Sequence, residues 1–166
     1  MYRWLRELEP RLHFLIVTPQ SDDEITSIFD RVGIDRAHYT LCHSDYSDIH
    51  PYFFAADYAV IAVPPGPSKQ FISNIKVGEY LCSGLPFLIT KGVSEDYLVA
   101  QELDVGVVVD DFREADIKAA WPKMRRLLEM PAEGRREHCR RVGLDYRGFD
   151  SLNPVFKAAM LHLTDS

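Results

Sequence analysis

Ser73-Asn74-Ile75-Lys76-Val77-Gly78-Glu79-Tyr80-Leu81-Cys82-Ser83-Gly84-Leu85-Pro86 decides how this 166-residue chain is read. The stretch follows a loop rich in Pro and Gly, carries its apolar positions at helical spacing, and stops at Gly84. It predicts a helix over 75–83, with an apolar strand over 87–90 following at once. A helix that opens directly after a strand and a loop aims its free amide N–H groups above the sheet, which makes a ready site for an anion. Lys76 and Glu79 stand three positions apart and share a helix face near that end. A cation beside a carboxylate suits a ligand with both phosphate and hydroxyl groups, such as a nucleotide.

Outward from this stretch, strands and helices alternate with short punctuation. Apolar strands are expected over 13–18, 38–43, 58–63, 87–90 and 105–109, and helices over 23–32 (capped by Ser21 or Asp22), 49–56, 75–83 and 94–103. A helix over 2–8 precedes the first strand. Three helices, over 115–130, 132–145 and 152–163, close the chain. Strands apolar on both faces and separated by helices make a parallel sheet covered on both sides. The fold class is therefore α/β: a three-layer, Rossmann-like parallel sheet of about five strands with helices on both faces and a helical C-terminus, in a single domain over 1–166. Ligands of such sheets bind beyond the carboxyl ends of the strands. Four loops lie there, over 19–22, 44–48, 64–74 and 91–94. The third is long and leads straight into the Lys76/Glu79 helix.

Composition narrows the partners. Net charge is −6, the wrong sign for a protein that grips a nucleic-acid backbone. Basic residues cluster locally at Lys123, Arg125 and Arg126 and at Arg135, Arg136, Arg140 and Arg141. The first reading of this run is a solvated helical face; peripheral contact with a membrane or a partner domain is the second. Cys42, Cys82 and Cys139 show no CxxC or metal-ligand spacing and read as reduced thiols of a cytosolic, cytoplasmic protein. No apolar run is long enough to span a membrane. No Walker-type loop is present and no GxGxxG follows the first strand, which sets aside P-loop NTPases and NAD enzymes.

Residues 55–110 resemble the donor-binding half of GT-B glycosyltransferases, of the group-1 retaining kind. The matching pieces are Ala55-Ala56-Asp57-Tyr58-Ala59-Val60 leading into a strand, a loop with Pro64 and Ser68, the run from Ser73 to Pro86, and Val105-Gly106-Val107-Val108-Val109. Many bacterial members show Ser-x-x-Lys-x-Gly-Glu-Tyr-Leu-Ala-x-Gly-x-Pro, which Ser73 to Pro86 fits with Cys82 in place of Ala. The resemblance implies that a UDP- or GDP-linked sugar lies against this helix as co-substrate, with no other cofactor and no bound metal. Glu79 would accept hydrogen bonds from the ribose hydroxyls. Ser73, Asn74, Ile75 and Lys76 would hold the diphosphate, and the base would rest near His43 and Ser44. Lys76 and Glu79 would be the catalytic pair. Two departures stand out. Position 71 is Phe where the family often carries a second Glu, so sugar recognition differs or comes from main-chain groups. Family members also have an N-terminal acceptor-binding domain and a first donor-domain strand, and this chain starts within the helix after that strand. It reads as a fragment, or as a subunit that needs another chain, and as inactive in isolation.

Plainer readings stand beside these. Lys76 and Glu79 also fit an exposed helical pair contributing about 0.2–0.5 kcal/mol. Ser73 also fits an N-cap, Ser68 and Lys69 fit loop solvation, His43 and His50 fit structural histidines, and Tyr46 and Tyr52 fit packing residues. Asp45, Asp48 and His50 are a weak metal set. Glu95 and Asp96 follow Ser94 in a first helical turn, where they offset the helix dipole and take no catalytic role. Besides a sugar transferase acting in polysaccharide or glycoconjugate synthesis, the same sheet fits a non-enzymatic nucleotide-binding or regulatory module, or a degenerate domain that holds an oligomer together.

Overall fold

The computed structural model describes residues 1–164, without the side chains of Ala159, His162, Leu163 and Thr164. Helix α1 (Tyr2–Leu8) precedes strand β1 (Phe14–Val17), and α2 (Asp22–Arg31) leads to β2 (Tyr39–Cys42). Then follow α3 (His50–Ala55), β3 (Ala59–Val60), α4 (Ile75–Cys82), β4 (Phe87–Thr90), α5 (Asp96–Glu102) and β5 (Gly106–Val109). Helices α6 (Glu114–Glu129), α7 (Ala132–Arg147) and α8 (Phe149–Thr164) finish the chain. Ser21 is the cap of α2, its hydroxyl accepting from the Glu24 N–H.

Every strand pairing is parallel, as the run of apolar strands separated by helices requires. β1 lies beside β2 from Phe14 opposite Tyr39 to Val17 opposite Cys42. In the other ladder β4 is central: Ala59 and Val60 face Phe87 and Leu88 on one side, and Gly106 to Val109 face Phe87 to Thr90 on the other. The sequence reading placed all five strands in one sheet. Among the described residues they form two hydrogen-bonded sheets, β1-β2 and β3-β4-β5, because no backbone hydrogen bond joins β1 to β3. The third strand is also shorter than the apolar run 58–63 suggests. Past Ile61, whose N–H still reaches Leu88, the chain turns, and the Val63 carbonyl accepts from the Thr90 hydroxyl.

Residues of β4 alternate between two apolar clusters, which sets the layers. Phe87 and Ile89 join Val77 and Leu81 of α4, Ala100 of α5, and Cys139 and Val142 of α7. Leu88 joins Leu5 of α1 and Ile117, Met124 and Leu127 of α6 on the opposite face. Helices α4 and α7 approach closely because position 143 is glycine; a β-carbon there would stand 2.8 Å from the Leu81 side chain and 2.9 Å from the Cys82 nitrogen. Pro122 sits inside α6, which continues through it.

The basic run on α7 is largely structural, which corrects its reading as a solvated face. Arg135 is 4% exposed and donates to the last carbonyls of α6, Leu127 and Leu128. Arg136 donates to the carbonyls of Phe54 and Ala56 at the end of α3 and of Ser83 at the end of α4. Arg140 donates to Cys82. Helix C-termini carry unpaired carbonyls and partial negative charge, so a guanidinium satisfies both. Sequence periodicity registers these arginines as polar and says nothing of the ends they cap. Helix α8 packs on α7 and exposes Phe149, Val155 and Phe156. The sequence spaces Val155, Ala159 and Leu163 as an apolar stripe on this last helix, and the side chains of Ala159 and Leu163 lie outside the described residues. Among the described residues no helix is long and apolar enough to cross a membrane.

Candidate functional site

Helix α4 organises the site. Its core side, Val77 and Leu81, is fully buried. Asn74 is the N-cap residue, displacing Ser73 from the role the sequence offered it, and its side chain makes no capping bond. The Val77 N–H reaches back to the Asn74 carbonyl at 3.0 Å, while the amides of Ile75 and Lys76 have no acceptor among the described residues. The outer side of α4 borders a cleft of about 480 Å³ lined by Ser73, Ile75, Gly78, Glu79, Cys82 and Ser83, with His50 and Phe54 from α3 and Arg147 from the end of α7.

Glu79 is the most constrained acid of this cleft. The Lys76 ammonium donates to its Oε2 at 2.8 Å, and the Tyr46 hydroxyl donates to its Oε1 at 2.7 Å. Its side chain is 12% exposed, against 47% for Lys76. Burial alone would raise the Glu79 pKa. The hydrogen bonds from Lys76 and Tyr46, with the charges of Lys76 and His50, outweigh that and hold it below the ordinary value. Glu79 is thus a carboxylate at neutral pH. It offers about four lone-pair sites, of which the protein takes two. Tyr46 bridges the loop after β2 to α4, and its hydroxyl pKa rises because it donates to that carboxylate. Lys76 also lies over the Tyr46 ring, 5.6 Å from its centre.

A second polar cluster sits where α4, α5 and α7 meet. Asp96 is fully buried and accepts from Arg147 Nη2 at 2.7 Å and from Asn74 Nδ2 at 3.4 Å. Arg147 also donates to the Ser73 hydroxyl at 3.3 Å. Its stem packs on position 78, where a β-carbon would meet it at 3.4 Å. The loop over 64–74 is tied down from α5: Ser94, buried at φ +57, donates its N–H to the Lys69 carbonyl at 2.8 Å.

The structure gathers Ser73, Ile75 and Glu79 around one cleft, with Lys76 bound to Glu79 and Asn74 bound to Asp96 behind it. His43 and Ser44 are not part of that lining. His43 Nδ1 faces the Thr18 carbonyl at 2.8 Å and Nε2 faces Asp22 at 2.7 Å. Both neighbours are acceptors, so the two bonds coexist only in the charged imidazolium, and the pKa is raised by the Asp22 and then the Thr18 hydrogen bonds. The Ser44 hydroxyl donates to the Asp45 carbonyl. Among the described residues no three His, Cys, Asp or Glu side chains are grouped to hold a metal ion, so Asp45, Asp48 and His50 do not converge. Sequence reading missed three residues here. Spacing alone gives Tyr46 as a packing residue and Asp96 as a dipole-compensating acid, and does not single out Arg147. The available signal was weak: Asp96 begins a helix beyond a strand end, and Arg147 ends one.

Comparison with solved structures is decisive for the architecture. WaaG, a glycosyltransferase involved in lipopolysaccharide biosynthesis, superposes with a TM-score of 0.63 at 16% sequence identity, covering 93% of this chain and 42% of that chain. Over this shared length the chain has the fold of the corresponding part of that GT-B protein. It spans less than half the length of that GT-B protein. No protein-family model matches the sequence, and no curated protein matches it.

Proposed function

We propose that this chain is the nucleotide-sugar-binding, C-terminal part of a retaining, group-1 glycosyltransferase that works in polysaccharide or glycoconjugate synthesis. The observation that carries this reading is the Tyr46–Glu79–Lys76 arrangement beside the open amides of α4, on a GT-B fold. In this reading the two unused acceptor sites of Glu79 take the vicinal hydroxyls of the donor's ribose. The amides of Ile75 and Lys76 and the Lys76 ammonium take the diphosphate. As the bond from sugar to diphosphate breaks, negative charge grows on the leaving group, and donors already aimed at it stabilise that charge without reorganising. Ser73 and Asn74, held by Arg147 and Asp96, keep the head of α4 in place. The nucleobase is directed toward the loop after β2, on the side of His43 and Ser44. The acceptor site belongs to a separate acceptor-binding part, without which the chain is inactive.

Calorimetric titration of UDP, GDP, ADP, CMP and their sugar conjugates tests this. One nucleotide class is expected to bind, and Glu79→Ala to weaken it by about ten- to a hundredfold, the equivalent of a charge-assisted hydrogen bond. Equal affinity in wild type and variant would remove Glu79 from the proposal. Absence of binding by the chain and by its complex with an acceptor-binding part would end it.

A further inference from the structure

Tyr46 is 69% exposed and belongs to neither apolar cluster, yet its hydroxyl is committed. The residue opens a single 3-10 turn (Tyr46–Asp48) in the loop after β2, closed by the Asp48 N–H on the Asp45 carbonyl at 3.0 Å. The turn presents the ring to α4. There the hydroxyl donates to Glu79 Oε1 at 2.7 Å, and the Lys76 ammonium lies 5.6 Å from the ring centre. Among the described residues no other side-chain hydrogen bond joins this loop to α4.

The last torsion of a glutamate is broad and roughly two-fold, so a carboxylate turns readily about it. Lys76 alone does not stop that rotation. It stands three residues back on the same helix, is 47% exposed, and carries three rotatable donors that can follow either oxygen. Tyr46 supplies what Lys76 lacks: a single O–H on a rigid ring, reaching in from another part of the chain. With Lys76 on Oε2 and Tyr46 on Oε1, each oxygen holds one donor and keeps one free acceptor site. Two adjacent acceptors in a fixed plane match two adjacent hydroxyls. A lone hydroxyl uses one of them and leaves the other to water.

We propose that Tyr46 is a positioning residue that holds Glu79 as a fixed two-oxygen acceptor, and that it thereby makes the cleft select a vicinal diol over a single hydroxyl. The role rests on the reading of Glu79 as the ribose acceptor. Without the Tyr46 hydroxyl the carboxylate is ordered only at the moment of binding. The loss falls on the ligand that needs both oxygens in place.

The probes are UDP and GDP, each beside its 2′-deoxy form, titrated calorimetrically against wild type and Tyr46→Phe. Phe keeps the ring under Lys76 and removes the hydroxyl alone, and at this exposed position it should leave Tm nearly unchanged. Wild type is expected to favour the ribose form by about tenfold or more, the equivalent of one charge-assisted hydrogen bond. In Tyr46→Phe that preference should shrink by about three- to tenfold, the equivalent of one side chain ordered on binding, with the 2′-deoxy form bound as before. A second readout needs no nucleotide. Burial raises the Glu79 pKa, and the hydrogen bonds from Lys76 and Tyr46 outweigh it, so Glu79 should titrate higher in Tyr46→Phe when followed by carbon-13 NMR. Three results would overturn the Tyr46 role while leaving Glu79 as the ribose acceptor: an undiminished preference in Tyr46→Phe, equal weakening of both forms, or an unmoved Glu79 titration. A wild type that does not distinguish the two forms would overturn the reading of Glu79, and this role with it.

Discussion

Replacing Arg147 with Met tests whether the Arg147–Asp96 pair holds the head of α4. Asp96 is fully buried, and its strongest partner is the guanidinium at 2.7 Å; Asn74 at 3.4 Å is the weaker one. Arg147→Met keeps the stem that packs on Gly78 and removes the charge, leaving a carboxylate without a cation. Breaking a fully buried pair costs about 3–5 kcal/mol, and because Arg147 is 28% exposed, water offsets part of this. The expected loss is about 2–4 kcal/mol, or about 5–15 °C in Tm for a domain of this size. Asp96→Asn removes the buried charge but keeps an acceptor for Nη2, so it should cost less, about 1–2 kcal/mol. Urea unfolding of both variants and of the double variant gives the coupling. An Arg147→Met protein within about 0.5 kcal/mol of wild type, or additive single and double effects, would show that the pair does not anchor the site.

Further expectations rest on other parts of the molecule. Gly143→Ala forces a β-carbon to 2.8 Å from Leu81 and should destabilise by about 1–3 kcal/mol in a thermal or urea melt. The pKa of His43 should lie above the ordinary 6.5 and return toward it in Asp22→Asn, as followed by NMR titration of the ring proton. Because the folded-state pKa is the higher one, the stabilising contribution of His43 is complete below 6.5. It is lost as pH rises through the folded value, so the pH dependence above 6.5 should flatten in Asp22→Asn. The buried Cys139 thiol, pushed by desolvation up to about 11, should resist a thiol reagent at pH 8, where about one molecule in a thousand is thiolate. The exposed Cys82 should label first, and Cys139 only on unfolding.

Local patterns were legible in the sequence and long-range pairs were not. The extent of α4, the Ser21 cap, the apolar strands other than β3 and the Lys76–Glu79 pair follow from spacing within a few residues, and the structure places them within a residue of that reading. Asp96 and Arg147 are 51 positions apart, and Tyr46 and Glu79 are 33 apart. Neither pair leaves a periodic trace, because what selects them is the meeting of three elements in space. Arg135, Arg136 and Arg140 looked like surface charge for the same reason: the carbonyls they cap belong to other helices. Helix α5 begins two residues after Ser94, because that residue takes a left-handed conformation that a helix cannot include. The division of the sheet was invisible too, since an apolar strand reads alike whether one edge or both are paired.

The central claim is that Glu79 reads the ribose of a nucleotide donor. Its most direct test is a cycle: the affinities of the tightest-binding nucleoside diphosphate and of its 2′,3′-dideoxy analogue, each with wild type and with Glu79→Ala. The account predicts that wild type prefers the ribose form and that the preference vanishes in the variant, with a coupling of about 1.5–3 kcal/mol. If Glu79→Ala weakens both ligands equally, the carboxylate does not touch the ribose, and its bonds to Lys76 and Tyr46 are structural alone.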